Sequence, residues 1–303
     1  DIATLSEEEL TIFKEFVSLG LFTGDFPLYN HQDKMLRSAL DGKNCVITSG
    51  TGSGKTEAFL MPLFAYLLKD LAKYKNTASE INLNGPHTRG FGQSRGIARD
   101  DSGNYILSEA VLQRQKESRP QAIKALIIYP MNALVEDQMT RLRISLDSDQ
   151  IRHYCDTKLN GNRIFFGRYN SNSPVSGSLT KKGPDGPQPN KSKWNQLTKE
   201  LNALQSNYEE IEAYIEKEEI SGKNRDELIS NFQRLDGAEM RSRFDMQQTP
   251  PDVLITNFSM LSIMLMRQIE SEMINQTKKW LNAETEWDLE NLTEEEREKE
   301  KDE

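Results

Sequence analysis

Two patterns of apolar residues alternate along the chain. Short apolar runs at 44–48, 122–129, 162–167 and 252–256 have the length and composition of buried strands. Between these runs, apolar residues recur every three or four positions, as they do on one face of a helix. Buried strands that alternate with helices imply right-handed crossovers and a parallel sheet. The predicted fold class is therefore α/β, with a parallel sheet flanked by helices.

Capping signals and apolar spacing locate the predicted helices. Ser6 and Glu9 form a capping box, which predicts a helix that ends at Gly20. Further helices are predicted over 31–40, 57–72, 133–146, 197–215, 228–235 and 259–272. The apolar residues of 197–215 alternate in spacing between four and three, which gives a narrow stripe. This stripe either packs within the chain, which we favour, or binds a protein partner.

The predicted elements divide the chain into three parts. An N-terminal helix occupies 1–24, the α/β domain occupies 25–283, and an acidic tail follows at 284–303. Two polar segments inside the domain, at about 73–120 and 168–248, are predicted to be insertions. The second of these contains the helical stripe.

Composition excludes several classes of protein. No apolar run reaches the roughly 20 residues that cross a bilayer. The two cysteines cannot form a disulfide framework, and the three histidines lack the spacing of a metal site. A cytoplasmic location without membrane contact is expected, with Cys45 buried and unreactive in its strand. The tail at 284–303 carries a charge of −8 out of the net −9, so a basic groove elsewhere is compatible with the composition.

The strongest chemical signal is the glycine-rich sequence SGTGSGKT at 49–56, between a predicted strand and a predicted helix. This context is typical of a phosphate-binding loop, in which backbone N–H groups and the positive end of the helix face the phosphates. Lys55 would contact the β- and γ-phosphates of ATP, and the Thr56 hydroxyl would hold Mg²⁺; these two are the predicted catalytic residues. The nucleotide-binding residues predicted here are Gly50, Thr51, Gly52, Ser53, Gly54, Lys55, Thr56 and Glu57.

The loop resembles motif I of the superfamily-two helicases of the DEAD/DEAH-box group. Upstream, the sequence LYNHQ at 28–32 is similar to the Q motif of that family. The resemblance implies that Gln32 binds the edge of adenine and that Tyr29 packs near the base. Considered alone, Gln32 is better explained as a polar residue at the start of a helix, but its position before the phosphate loop favours the adenine-binding role.

Two further segments resemble motifs of the same family in the expected order. The sequence YPMNALVEDQ at 129–138 resembles motif Ia, and DVLITNFSML at 252–261 resembles the motif Ib region. The nucleic-acid contacts implied are Pro130, Asn132, Arg141, Thr256 and Asn257, with Gln138 as a further candidate. Arg141 is explained equally well by a solvated helix face.

The segment RLDGAEMRSR at 234–243 is similar to one in large bacterial helicases of the MrfA-like repair type and the phage-defence-associated, DISARM- or Druantia-like type. Arg241 and Arg243 would either contact phosphates or form salt bridges with Asp236 or Glu239. The mechanism of this segment is not implied by the resemblance.

Together these likenesses imply the first RecA-like domain of an ATP-dependent helicase or translocase. The implied cofactors are ATP and Mg²⁺, and DNA is favoured over RNA as the partner. A strand that ends in Asp-Glu and a second RecA-like domain are expected in the family but absent from these 303 residues. We therefore expect part of a larger protein that is inactive alone. Two alternatives remain open: another P-loop NTPase, such as a nucleotide kinase, or a non-enzymatic interaction module.

Overall fold

The computed structural model describes residues 5–22, 27–50, 52–74, 97–99, 105–107, 112–114, 117–175, 177–184 and 186–302. The α-helices are α1 (Glu7–Gly20), α2 (Asn30–Leu40), α3 (Lys55–Ala72), α4 (Asn132–Asp147), α5 (Asp149–Lys158), α6 (Lys191–Lys217), α7 (Gly222–Ile229), α8 (Arg243–Gln248), α9 (Phe258–Met264), α10 (Ser271–Leu281), α11 (Glu286–Asn291) and α12 (Glu294–Asp302). The strands are β1 (Ile97–Arg99), β2 (Tyr105–Leu107), β3 (Ala125–Tyr129), β4 (Phe166–Tyr169), β5 (Thr180–Gly183), β6 (Gly186–Pro189) and β7 (Val253–Asn257).

A parallel sheet of three strands, in the order β3-β7-β4, lies among these helices. The central strand β7 is buried along most of its length, as expected for a strand covered on both faces. The predicted α/β class with a parallel sheet is therefore confirmed. Two antiparallel hairpins, β1-β2 and β5-β6, lie inside the predicted insertions and were not expected from their polar sequences.

The strand predicted at 44–48 is wrong. Residues 43–50 adopt no regular secondary structure, and the side chain of Val46 is 90% exposed. A strand is maintained by its ladder of hydrogen bonds, and no described strand pairs with this segment. The apolar run alone therefore does not specify a strand here.

Helix boundaries differ from the prediction in the second half of the chain. The single helix predicted over 259–272 is divided into α9, a 3₁₀ turn at Gln268–Glu270, and α10. The short helices α5 and α8 were not predicted. Their polar sequences give little apolar periodicity, and each begins at a serine cap, Ser148 or Ser242.

The chain forms two compact units. The first contains the described residues within 1–77 and 144–163, where α1 packs against α3 and α5. Phe16 lies at its centre, with the rings of Phe64 and Tyr154 at 6.1 and 6.0 Å in edge-to-face geometry. The capping box of α1 is confirmed, because the backbone N–H of Ser6 donates to Glu9 over 2.7 Å and that of Glu9 donates to Ser6 over 3.2 Å.

Cys155, on α5, is buried in the first unit. Burial raises the pKa of its thiol to about 12. The thiol is therefore protonated near neutral pH, which makes it a poor nucleophile.

The second unit contains the described residues within 78–143 and 164–303, including the parallel sheet. The helical stripe of 197–215 lies on α6, and its first members, Leu197 and Leu201, pack with Trp194, Val175 and Phe244 in one buried apolar cluster. The Trp194 indole N–H also donates to a backbone carbonyl, at 3.2 Å. The stripe thus packs within the chain, as favoured from its spacing.

A buried charge cluster surrounds Asp252, immediately before β7. Arg119 donates hydrogen bonds of 3.0 and 2.7 Å to the Asp252 carboxylate, while Arg114 and Lys124 lie 3.6 and 3.5 Å from it. Glu117 contacts both arginines, and all five side chains are almost fully buried. Burial alone would raise the pKa of Asp252, but the three cations outweigh burial and hold the pKa well below its usual range.

Asp252 also joins the beginnings of the three parallel strands. Its carboxylate accepts the N–H of Phe165, one residue before β4, at 2.8 Å. Its backbone carbonyl accepts the N–H groups of Lys124 and Ala125 at the start of β3, both at 2.9 Å. Asp252 therefore fixes how the beginnings of the three strands are aligned with one another.

We predict that Asp252→Asn destabilises the protein by about 3–5 kcal/mol, because it leaves buried cations without their counter-charge. The folded-state pKa lies below the unfolded value of about 3.9, so the stabilisation is present above that value and is lost as the pH falls towards the folded pKa. Urea unfolding at several pH values measures both effects. Asp226→Asn, at a partly exposed pair with Arg225, is the matched control and should change stability little. Equal unfolding midpoints for the two variants would contradict the prediction.

Candidate functional site: a phosphate loop and a sheet edge

The glycine-rich loop ends where α3 begins. Gly52 and Gly54 have φ angles of 72° and 73°, a left-handed conformation that residues with a Cβ atom rarely adopt. Gly54 is the N-cap of α3, whose first turn contains Lys55, Thr56 and Glu57. The N-terminal end of a helix presents backbone N–H groups and a partial positive charge, which suit an anion. Thr51, the remaining predicted loop residue, lies outside the described residues.

The Lys55 side chain folds back across the loop and bonds to its first residues. Its ammonium group donates to the carbonyl oxygens of Ser49 and Gly50, at 2.8 and 2.6 Å. Ser53 donates from its hydroxyl to the Gly50 carbonyl at 2.8 Å and lies 2.7 Å from the Ser49 hydroxyl. The lysine charge therefore lies across the loop, where it can exchange carbonyl partners for phosphate oxygens.

Gln32 connects α2 to this loop. Its amide nitrogen donates to the Gly54 carbonyl at 3.1 Å, and its amide oxygen accepts the backbone N–H of Tyr29 at 2.9 Å. The Gln32 side chain is buried, whereas the Tyr29 ring is exposed and stacks on His31 with 5.6 Å between ring centroids. Gln32 thus holds the loop in place, and adenine recognition by Gln32 and Tyr29 stays a prediction.

The N–H groups of the loop and the Lys55 ammonium suit the phosphates of a nucleotide, and a magnesium ion would be shared with those phosphates. In the described parts of the chain, no group of three histidine, cysteine or acidic side chains could hold a metal ion. Magnesium commonly takes one or two protein oxygens and completes its shell with phosphates and water. Thr56, in the first turn of α3, is the predicted protein ligand.

Cys45 differs from its prediction. Its side chain is partly exposed rather than buried, and its sulfur lies 3.3 Å from the Lys43 carbonyl. The cause is the missing strand, because residues 43–50 form no ladder that would cover the thiol.

A second candidate site lies at the carboxyl edge of the parallel sheet. Tyr129, the last residue of β3, is aligned with Asn257, the last residue of β7. The motif-Ia-like and motif-Ib-like segments therefore leave neighbouring strands at the same edge. Pro130 and Met131 follow β3 on the surface, and Met131 is 61% exposed. Ligands of open α/β sheets commonly bind at this edge.

Several predicted nucleic-acid contacts have partners inside the protein. The Thr256 hydroxyl donates to the Tyr169 carbonyl at 2.6 Å, and the whole residue is buried in the central strand. The Asn257 side chain caps α9 by accepting the N–H of Met260 at 2.8 Å. Arg141 forms a 3.3 Å ion pair with Asp137 on a solvated face of α4. The side chain of Asn132 lies outside the described atoms.

The segment 234–243 is held from both sides by buried polar groups. Gln113 donates to the carbonyl of Glu239 and accepts the N–H of Arg241, both at 2.9 Å. The Arg241 guanidinium is buried, which lowers its pKa, and donates to the Leu235 carbonyl at 2.9 Å. Glu239 pairs with Arg143 of α4. The buried Arg241 side chain therefore has a structural role, since it bonds to the backbone of its own segment.

Phe258 and Arg267 also lie at or after the carboxyl end of β7, and neither was singled out from the sequence. The Phe258 side chain is 71% exposed, and Arg267 pairs with Glu270. Phe258 lies within the motif-Ib-like segment but was not among its predicted contacts, and Arg267 lies outside every motif-like segment. The available signal was the placement of an aromatic residue directly after the strand-ending Asn257.

The geometry of the loop and its sequence context agree with a family comparison. Residues 29–164 match the DEAD/DEAH box helicase family. The matched range includes the Q-motif-like segment, the phosphate loop and the motif-Ia-like turn. The resemblance drawn from these motifs is therefore confirmed: residues 29–164 are similar to a helicase-type ATP-binding module.

The chain is similar to one particular protein, the Druantia protein DruE of Escherichia coli (strain UMEA 4076-1). The two are 28% identical over 310 residues, an alignment that covers 92% of this chain and 14% of DruE. The chain thus spans a small part of the length of this relative. No solved structure matches the chain significantly.

We predict that Gly54→Ala weakens ATP binding much more than Gly42→Ala does. Both glycines have a φ of 73°, so both substitutions introduce similar backbone strain. A methyl group at Gly54 would clash with the Gln32 amide, whereas one at Gly42 has no heavy atom within 4 Å. The measurement is ATP affinity for each variant, with thermal unfolding as the control for stability. Equal affinities would mean that the Gln32 contact does not shape the loop.

Proposed function

We propose that this chain is the ATP-binding lobe of an ATP-dependent DNA helicase or translocase. The observation that carries the proposal is the left-handed glycine loop at the start of α3, with Lys55 across it and Gln32 fixed to its last carbonyl. The match of residues 29–164 to the DEAD/DEAH box helicases supports it. The helicase or translocase activity of the protein that contains this chain is likewise proposed.

The chain's own residues would act on the nucleotide by position and charge. Loop N–H groups and the Lys55 ammonium would bind the β- and γ-phosphates, and the Thr56 hydroxyl would hold Mg²⁺. The magnesium ion would supply charge neutralisation on the phosphate oxygens. Gln32 would hold the Gly54 carbonyl in place. Its remaining hydrogen-bonding capacity would be directed towards the base.

Nucleic acid would bind along the carboxyl edge of the parallel sheet. The exposed turn at Pro130 and Met131 and the end of β7 at Asn257 offer backbone groups on adjacent strands. Contacts of this kind are made to the phosphates and sugars, so binding would be independent of base sequence and would weaken as salt rises. The preference for DNA rests on the resemblance to the repair and defence helicases.

Hydrolysis would require groups that the described strands do not provide. None of the described strands ends in Asp-Glu, the pair that positions magnesium and the attacking water in this family. The pair Glu136-Asp137 lies inside α4, where the two residues bind Arg168 and Arg141. We therefore propose that this chain hydrolyses ATP only together with a second RecA-like domain.

The biological setting is proposed from the relatives. Similarity to a Druantia protein, together with the resemblance of 234–243 to defence-associated helicases, supports a role in bacterial phage defence or DNA repair. In the described part of the chain, no helix has the length and apolar character to span a bilayer. A cytoplasmic location is the simplest one for a protein that acts on DNA.

We predict that Lys55→Ala abolishes binding of Mg²⁺-ATP, because it removes the cation that lies across the phosphate loop. Calorimetry with the 303-residue chain measures the affinity, and Lys43→Ala, at an exposed pair with Asp41, is the control that should bind as the parent does. ATP turnover by the same chain should be negligible. Rapid hydrolysis would overturn the need for a second domain, and phosphoryl transfer to a nucleoside monophosphate would favour a nucleotide kinase instead.

We predict that Gln32→Ala weakens binding of both ATP and GTP, since it removes the contact to Gly54, and that ATP loses more. A bidentate amide–adenine pair contributes about 1–3 kcal/mol, so the additional loss for ATP should be roughly 10- to 100-fold. Competition binding of the two nucleotides to parent and variant measures this difference. If both affinities fall equally, Gln32 supports the loop and does not read the base.

A further inference from the structure

Arg243 is a partly buried cation whose guanidinium has no hydrogen-bond acceptor among the described residues. It is the first residue of α8, and its backbone N–H donates to the Pro174 carbonyl at 2.9 Å. The side-chain Nε is buried and unpaired. Desolvation lowers the pKa of Arg243, the direction expected for a cation that lacks compensating bonds. A buried donor of this kind usually has an acceptor, so the missing acceptor requires an explanation.

Glu270, the carboxylate that acts electrostatically on Arg243, already has other partners. Glu270 is fully buried, accepts the Tyr169 hydroxyl at 2.7 Å, and pairs with the guanidinium of Arg267. The Tyr169 hydroxyl in turn accepts the Gln247 amide at 2.6 Å. Glu270 and Arg267 both act electrostatically on Arg243. Glu270 is thus paired with Arg267 and acts on Arg243 only electrostatically, so the three charged groups together carry one excess positive charge.

Tyr169 links Glu270, and through it Arg267, to the carboxyl edge of the sheet. Tyr169 is the last residue of β4 and is aligned with Thr256 of β7, whose hydroxyl bonds to the Tyr169 carbonyl. Asn257, the next residue, ends β7 beside Tyr129 of β3. The cluster of Arg243, Arg267 and Glu270 is therefore connected to the same edge as the motif-Ia- and motif-Ib-like segments.

We propose that Arg243, with Arg267 beside it, binds a backbone phosphate of the single nucleic-acid strand that crosses this edge. The inference rests on the proposed function and extends the contact surface from the ends of β3 and β7 to the end of β4. A phosphate offers the planar guanidinium two oxygen acceptors in a bidentate arrangement, which supplies what Arg243 lacks. Arg241, two residues earlier, is buried with an internal acceptor and takes no part in the contact.

The test compares Arg243→Gln, Arg243→Lys and the control Arg225→Gln in the 303-residue chain. Arg225 is a partly exposed arginine of α7 that pairs with Asp226 in the same unit. The probe is a labelled oligothymidine, whose affinity is measured by fluorescence anisotropy at several salt concentrations. Mg²⁺-ATP affinity and thermal unfolding are measured in parallel as independent readouts of the folded protein.

For Arg243→Gln we expect a loss of roughly 10- to 100-fold in affinity at low salt and a salt slope smaller by about one. Arg243→Lys should retain the slope but recover only part of the affinity, because an ammonium group cannot form the bidentate contact. Arg225→Gln should bind as the parent does. Thermal stability of Arg243→Gln should be equal to or above that of the parent, since an unpaired and desolvated charge is removed.

The remaining outcomes separate this inference from the proposed function. Parent-like affinity and slope in Arg243→Gln, with the parent chain binding the oligonucleotide, would overturn the role of Arg243 alone. A parent chain that binds Mg²⁺-ATP but no oligonucleotide would overturn both this contact and the proposed nucleic-acid edge. Lower thermal stability in Arg243→Gln, together with unchanged oligonucleotide binding, would show that Arg243 is structural.

Discussion

The buried charge cluster around Asp252 is the constraint on which the second unit depends. One residue binds the beginnings of β3, β4 and β7 through its carboxylate and its carbonyl, so the ends of the three strands are also brought into register. A buried ion pair of this kind contributes little net stability compared with apolar packing, because desolvation offsets most of the attraction. The charge cluster instead favours one alignment of the three strands over the others. A strand displaced by one residue would separate Asp252 from three buried cations and leave Glu117 alone to balance them, which disfavours other registers.

At both candidate sites, the side chains that carry the motif resemblance are engaged within the protein. Gln32 fixes the phosphate loop, Thr256 joins β7 to β4, and Asn257 caps α9. These contacts determine where backbone N–H and carbonyl groups point. Binding of phosphates by such groups involves little discrimination between bases, which would suit the proposed movement along a strand of any sequence. The motif residues therefore act first by shaping the backbone that faces the ligand.

The sequence was sufficient for features with a local physical cause. The glycine loop, the Ser6 capping box and the parallel strands at 125–129 and 253–257 follow from backbone freedom, capping and apolar pattern. Features that depend on distant partners were not predictable. The apolar run at 44–48 does not encode a neighbouring strand, and Arg114, Glu117 and Arg119 had the polar composition of a surface insertion although they lie in the core. Ion pairs between residues that are far apart in the chain produce no periodic pattern in a single sequence.

The different environments of the two cysteines offer a practical route to chemical labelling. Cys155 is protected by burial and by its raised pKa, whereas Cys45 is partly exposed and lies four residues before the phosphate loop. A maleimide dye under mild conditions would therefore attach mainly at Cys45, without removal of the other cysteine by mutagenesis. Its fluorescence would report on the segment that leads into the loop, and so would convert nucleotide occupancy into an optical signal.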